Sequence, residues 1–353
     1  MMIRRKDAAA FESFISAMGH SYPFGSAGGA RRASEPLTMS IGSAAIFAFA
    51  VTFASVQGAA AASPTAIDRA QTLLDNHQYK AAIAVLNEYL KTDPANAKAL
   101  VMRGDAKDDS GDPDGALADY NAAIVVNPDY AYAYATRCDT QVELEHYDEA
   151  VTDCTHALSL EPAEELALRG RSAAYFFRGD YQLALADAQQ VAQLDPTDSR
   201  AIFARCRANF GMGRLDAARK DCSQVISYSP DSENAYFYRG RSAYLQNDYE
   251  AAIADLRKAV TLDSEFTAAH FWLSCAEYNA KQYAAALSEI DAYLLKYPRD
   301  PDALLLRARV NGNLGKTADA RADAQQALHR YRVDNDDDGA RAAQAFIDSL
   351  ETP

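Results

Sequence analysis

SRAIFARCRANFGMGRLDAARKDCSQVISYSPDS, residues 199–232, is the stretch that decides the fold. It carries Pro230 near its end, and Pro94, Pro128, Pro162 and Pro196 precede that proline at intervals of 34 residues. Pro298 follows 68 residues later, with Ser264 in the intervening slot. Proline cannot donate a backbone hydrogen bond and interrupts helix interiors, so a fixed proline period marks a fixed boundary period. With the frame started at Ser63, later copies begin at Ala97, Ala131, Glu165, Ser199, Glu233, Thr267 and Pro301, without insertion or deletion between them. One structural unit is copied eight times.

Frame position 20 holds Ala82, Ala116, Ala150, Ala184, Ala218, Ala252, Ala286 and Ala320. A small side chain repeated so regularly marks a crowded contact between helices. Three residues earlier stand Tyr79, Tyr147, Tyr181, Tyr249 and Tyr283, each preceded by polar or glycine residues. The pattern predicts a helix–turn–helix joint followed by an amphipathic helix, as in residues 251–260.

In its large, small, aromatic, Ala and Pro positions the unit resembles the tetratricopeptide repeat. The sixth copy shows Tyr236, Gly240, Tyr249, Ala252, Leu256 and Ala259 at those places. The resemblance departs in two respects. No tryptophan stands at the first signature position, and the eighth copy ends without proline. It implies an all-α fold, a right-handed α-α superhelix whose concave groove is lined by the first helix of each copy. The expected divisions are residues 1–62, an N-terminal extension with a signal peptide or membrane anchor; 63–333, the eight repeats; and 334–353, an acidic turn with a C-terminal capping helix. Arrays need such a cap because the last copy otherwise exposes an apolar face.

Two charged ladders run through the copies. Arg69, Arg103, Arg137, Arg171, Arg205, Arg239 and Arg307 share position 7, and Asp119, Asp153, Asp187, Asp221, Asp255, Glu289 and Asp323 share position 23. In an antiparallel helix pair these levels face each other, so we read them as structural ion pairs within or between copies.

Five cysteines add a second pattern. Cys138 and Cys206 occupy position 8, and Cys154 and Cys222 occupy position 24, so each pair is 16 residues apart. These positions lie equally far from the turn, which predicts disulfides Cys138–Cys154 and Cys206–Cys222. The alternative is that copies three and five are close relatives whose thiols are small buried residues. The spacing does not suit the close ligand pairs of a zinc site. Cys275, at position 9, has no cysteine opposite it in the frame; it reads as a reactive thiol, an intermolecular link or inert filler.

The formal charge of −14, from 49 acidic and 35 basic residues, argues against nucleic acid as a partner. Arg31-Arg32 precede an apolar run over residues 41–56, and Ala59 to Ala62 follow. A basic stretch, an apolar core and an Ala-x-Ala end describe a secretory signal peptide. With a bacterial source assumed, the repeats are periplasmic or secreted. The alternative is a single-pass anchor with the repeats on the outer side, the only membrane contact then being that uncleaved segment.

Chemistry-bearing motifs are few. Gly312-Asn-Leu-Gly-Lys-Thr317 spaces its glycines too closely for a phosphate loop, and no strand precedes it. Asp334-Asn-Asp-Asp-Asp-Gly339 resembles the start of a calcium loop, but Ala345 stands where the final Glu belongs. No catalytic set, cofactor motif or metal cluster is legible, and the expectation is a binding protein, not an enzyme.

In the resembled family, ligands contact first-helix positions 2, 5, 6, 9, 12 and 13. Here those positions offer Asp105, Asp108, Asp109, Asp139 and Glu143 in copies two and three. Later copies offer Arg169, Phe176, Phe203, Arg207, Phe210, Phe237, Arg241, Tyr244 and Trp272, with Phe177, Arg200 and Tyr238 beside them. Arginine and aromatic side chains are the usual anchors of binding surfaces. The resemblance thus implies a groove for a peptide or helix of a protein partner, bearing apolar and acidic side chains. Against this stands the packing of the same rings between neighbouring first helices. An anionic polysaccharide handled during envelope export is the second partner class, because rings stack on sugars and arginines hold acidic polymers. The Lys/Asn clamp that some members use for a chaperone's terminal carboxylate is not present.

Overall fold

The computed structural model describes residues 65–351; the leader expected over residues 1–62 lies outside them. Among the described residues there are seventeen helices and no strand. They pair as α1 (Ala66–Asp75) with α2 (Tyr79–Thr92), α3 (Ala97–Asp109) with α4 (Pro113–Val126), α5 (Ala131–Glu143) with α6 (Tyr147–Leu160), and α7 (Glu165–Arg178) with α8 (Tyr181–Leu194). The pairs continue as α9 (Ser199–Gly211) with α10 (Leu215–Tyr228), α11 (Glu233–Leu245) with α12 (Tyr249–Leu262), α13 (Thr267–Asn279) with α14 (Tyr283–Lys296), and α15 (Pro301–Asn313) with α16 (Thr317–Val333). Helix α17 (Asp337–Ser349) packs on α16 and touches α15, as the first helix of a further copy would, and buries Ala343 and Ile347. Among the described residues no helix is long and apolar enough to cross a membrane.

Local chemistry sets the helix ends. Asn96, Asp112, Ser232 and Asp336 cap first or second helices by accepting a backbone N–H with their side chains. Proline opens α4 and α15, where its missing N–H costs nothing. At position 15 every copy turns through the left-handed region: Gly111, Gly179, Gly213 and Gly315 do so, and so do His77, Glu145, Asn247 and Lys281. The proline at each boundary is not the only stop signal. Helix α12 ends at Leu262 although Ser264 replaces proline, whereas α16 runs to Val333 and is three residues longer than α12.

All eight alanines at position 20 are fully buried. Positions 8 and 24 face each other across the hairpin, and in copies two and six a glycine makes room for a large residue. Gly104 faces Tyr120, and a Cβ there would lie 2.5 Å from that ring; Gly240 faces Leu256 at 2.8 Å. In copies three and five the same two positions are the cysteines, with Cα atoms 5.6 and 5.5 Å apart and sulfurs at bonding distance. The core around Cys138 and Cys154 is thin. Its buried members are Ala135, Ala150, Ala157, Ala167 and Ala174 beside the two sulfurs.

The arginine ladder works both within and between copies. Arg103 donates from Nε and Nη2 to the two carboxylate oxygens of Asp119, at 2.8 and 2.6 Å, and from Nη1 to Asn87 of the preceding copy at 2.8 Å. Arg137, Arg171, Arg239 and Arg307 fork in the same way onto Asp153, Asp187, Asp255 and Asp323. Their third bonds reach back to Asn121, Thr155, Ser223 and Asp291. Arg205 holds one oxygen of Asp221, and the buried Asn209 amide donates to the other.

Copy seven breaks the ladder, since Leu273 stands where arginine is expected. Glu289 is met instead by His270, whose Nδ1 lies 2.6 Å from Oε2, while Nε2 lies 3.1 Å from the Ser264 carbonyl. Both partners are acceptors, so both ring nitrogens must donate, which is the imidazolium form. The bond to Glu289 raises the His270 pKa against the opposing effect of burial, and the charge of Glu265 adds to the rise. The stabilisation is fully present below the unfolded value of about 6.5 and is lost as pH rises through the higher folded value. Relative to His270→Leu, which imports the residue of copies two and four, the wild type should lose stability as pH rises from about 6.5 through the raised folded value. Denaturation midpoints at a series of pH values measure this; parallel curves for the two proteins would contradict the pairing.

Consecutive first helices touch one another all along the stack, whereas second helices are in no comparable contact with each other. The stack therefore curves, with first helices on the inner side and second helices spread along the outer.

Candidate functional site

The inner surface is built by α7, α9, α11 and α13, which present frame positions 2, 5, 9, 12 and 13. Arg207 on α9 and Arg241 on α11 share position 9 in successive copies. The Arg207 guanidinium lies 4.8 Å from the Phe176 ring, 5.2 Å from Phe203 and 5.7 Å from Phe177. That of Arg241 lies 4.5 Å from Trp272, 4.7 Å from Phe210 and 5.3 Å from Phe237. Tyr238 sits between the two cages, edge-on to Phe203 at 5.6 Å, Phe210 at 5.4 Å and Phe237 at 5.5 Å.

Burial governs the electrostatics here. It lowers the Arg207 pKa and brings that of Arg241 down to about 10, and the Tyr238 hydroxyl opposes both shifts. Tyr238 itself is pushed up to about 12 by burial, with the two guanidiniums pulling the other way. Among the described residues neither guanidinium has a carboxylate partner, and both Nε atoms are fully buried without a hydrogen bond. The adjacent ladder is the contrast: Arg239, two residues from Arg241, is satisfied by Asp255 and Ser223.

The structure sorts the nine groove candidates. Phe176, Phe210, Phe237, Arg241, Tyr244 and Trp272 are buried. Their rings pack between neighbouring first helices: Tyr244 meets Trp272 at 5.4 Å, and Phe237 meets Phe266 at 4.7 Å. Packing between copies therefore claims most of these rings, and the open part of the groove is smaller than the sequence implies. Arg169 is half-buried and paired, with Glu165 on its own helix and Asp198 at 3.7 Å. Phe203 and Arg207 remain half-buried on the inner face, with Phe177 and Arg200 beside them and exposed.

The acidic half is also partly engaged. Asp105 accepts from the Tyr120 hydroxyl at 2.9 Å and Asp108 from Thr140 at 2.8 Å. Cys275 is buried and unbridged, and burial raises its thiol pKa, which removes the reactive reading. The reading of the sequence missed Glu277. It is 1% exposed, its Oε1 takes Arg257 at 2.8 Å, and burial raises its pKa. Nothing in a repeat frame distinguishes such a residue from a solvated glutamate. Among the described residues no cluster of His, Cys, Asp or Glu could hold a metal ion.

A family model described as tetratricopeptide repeat matches residues 67–134 and 203–265, and a second such model matches 243–310. No curated protein matches the chain. Among solved structures, the APC/C hetero-tetramer Cut9–Hcn1 is similar at 16% identity and a TM-score of 0.63, over 80% of this chain. The chain spans 55% of that one. A tetratricopeptide repeat protein from Parabacteroides merdae gives 15% identity and a TM-score of 0.53, over 70% of this chain and 98% of that one. The pilF protein of Pseudomonas aeruginosa gives 14% and 0.54, over 61% and 96%. At these identities the likeness concerns the fold alone.

Proposed function

The chain belongs to the tetratricopeptide repeat family, whose arrays are in general non-catalytic scaffolds for protein–protein interaction, and from that premise we propose an exported scaffold that holds a peptide or helix of a partner protein along its first-helix groove. The observation that carries this reading is the half-open patch of Phe203 and Arg207 on α9 with Phe177 on α7, on the inner side of the curve. Rings flanking a guanidinium offer stacking, apolar contact and a planar donor fork in one place. Export is supported by the leader-like residues 31–62 and by two cysteine pairs at disulfide distance, which suit an oxidising compartment.

Photo-crosslinking residues tested in the living source cell address the groove directly. Placed at Arg200 or Phe203, they should yield one discrete protein adduct. At Val125 and Leu295, exposed on the second helices α4 and α14, they should yield none. Adducts from the outer positions alone, or none from any position, would refute the groove. Adducts to glycan alone would replace the protein partner with the polysaccharide.

A further inference from the structure

We propose that Arg207 and Arg241 form a carboxylate subsite, taking Asp or Glu side chains of the partner segment. The proposal rests on the groove reading above and deepens it. Six ladder arginines, Arg103, Arg137, Arg171, Arg205, Arg239 and Arg307, each hold an aspartate of their own copy. Among the described residues Arg207 and Arg241 hold none, although Arg241 is 6% exposed. A charge taken out of water is costly unless it is paired, and buried polar groups nearly always find partners. Three rings around each guanidinium offset part of that cost. They also fix the plane of the fork, so that a carboxylate arriving from the groove meets donors already oriented.

A purely structural role is poorly served by these residues. Methionine would fill the same ring-lined space without a buried charge, and replacing buried charges by apolar groups of like volume is often neutral or stabilising. Their retention at one frame position in successive copies fits a site that is completed by a ligand. Charge complementarity picks the ligand. Position 9 is Asp105 and Asp139 in copies two and three but Arg207, Arg241 and Arg309 further along, so the acidic part of the segment belongs at α9 and α11.

The test uses fluorescein-labelled hexaglutamate with the full chain in fluorescence anisotropy at low and at physiological salt. The wild type should bind saturably. The Arg207→Met, Arg241→Met double variant should bind at least 10-fold more weakly yet melt about 2 °C or more above the wild type without ligand. The Arg207→Lys, Arg241→Lys variant keeps the charge but not the fork, and should lose most of the affinity. A control that changes charge equally on other faces, Arg219→Met with Arg321→Met, should bind as the wild type does.

Equal affinity in the inner and control variants overturns the subsite. So does wild-type binding to polyuronate but not to hexaglutamate, and so does a wild type that binds neither. A melting point that falls in the inner Met variant while binding persists also overturns it, since the guanidiniums are then structural. Hexaglutamate binding without inner crosslinks leaves the subsite standing and removes the groove partner. Inner crosslinks without hexaglutamate binding do the reverse.

Discussion

Asp221→Ala lowers the unfolding free energy by about 2–4 kcal/mol. The Asp221 carboxylate, in a residue 6% exposed, accepts from Arg205 at 2.6 Å and from the buried Asn209 amide at 2.9 Å. Truncation leaves a guanidinium and an amide facing each other without their shared acceptor, so the loss is the desolvation cost of both. The Arg205 side chain keeps 26% exposure, which sets the figure below that of a fully buried pair. The charge matters less than the acceptor. Asp221→Asn should cost clearly less, and Arg205→Met with Asp221→Leu should come close to neutral. Urea unfolding followed by circular dichroism measures all three. In an array each copy leans only on its neighbours, so the loss should show as early melting of copies four to six. A loss for Asp221→Ala within error of the exposed-pair variant Glu88→Ala would show that the ladder contributes no stability.

Removing the Cys138–Cys154 bridge is the second large effect. Each bridge closes a separation of 16 residues, for which chain entropy gives about 3 kcal/mol. The two are not equivalent. Cys206 and Cys222 lie in a core that also holds Phe210, Val225 and Tyr238. Cys138 and Cys154 lie among alanines, and Gly170 of the next copy comes so close that its Cβ would meet both sulfurs at 3.0–3.1 Å. The larger apolar residues around this bridge, among them Tyr134, Tyr147 and Leu158, are only partly buried, so less packing remains in copy three without the cross-link. Cys138→Ser with Cys154→Ala imports the pair that copy four carries, Ser172 and Ala188, and so tests the bond with little change of shape. This variant should lose more stability than Cys206→Ser with Cys222→Ala. Peptide mapping without reduction should recover both linked pairs. Four alkylatable thiols in the unfolded, unreduced protein would exclude the bridges, and the compartment argument with them.

The fold was legible because each structural demand recurs at a fixed place. A fully buried alanine eight times and an arginine opposite an aspartate six times cannot arise by chance from a 34-residue frame. The turn at position 15 was legible where glycine or Asn247 stands. It was hidden at Glu145 and Lys281, which have no local preference for the left-handed region and are held there by the hairpin around them. The site was legible in its chemistry and not in its exposure. Arg239 and Arg241 are the same residue type two positions apart, yet one ends on Asp255 and the other among three rings. Two residues turn a helix by about 200°, so frame position separates the two; how much of Arg241 stays open depends on the rings of the neighbouring first helices, Phe210 and Trp272. Trp272 and Phe237 looked like a surface for the same reason.

Both sulfur bridges lie inside a hairpin, and neither crosses from one copy to the next. Two of the coils are thus clamped covalently, while the joints between copies rest on non-covalent contacts: the back-reaching arginine bonds, pairs such as Arg219–Asp248 and Arg257–Glu277, and van der Waals packing. Mechanically this is a spring with two stiffened turns. Under tension it should lengthen by a change of pitch before any coil opens, and a bound segment that spans several turns would set that pitch.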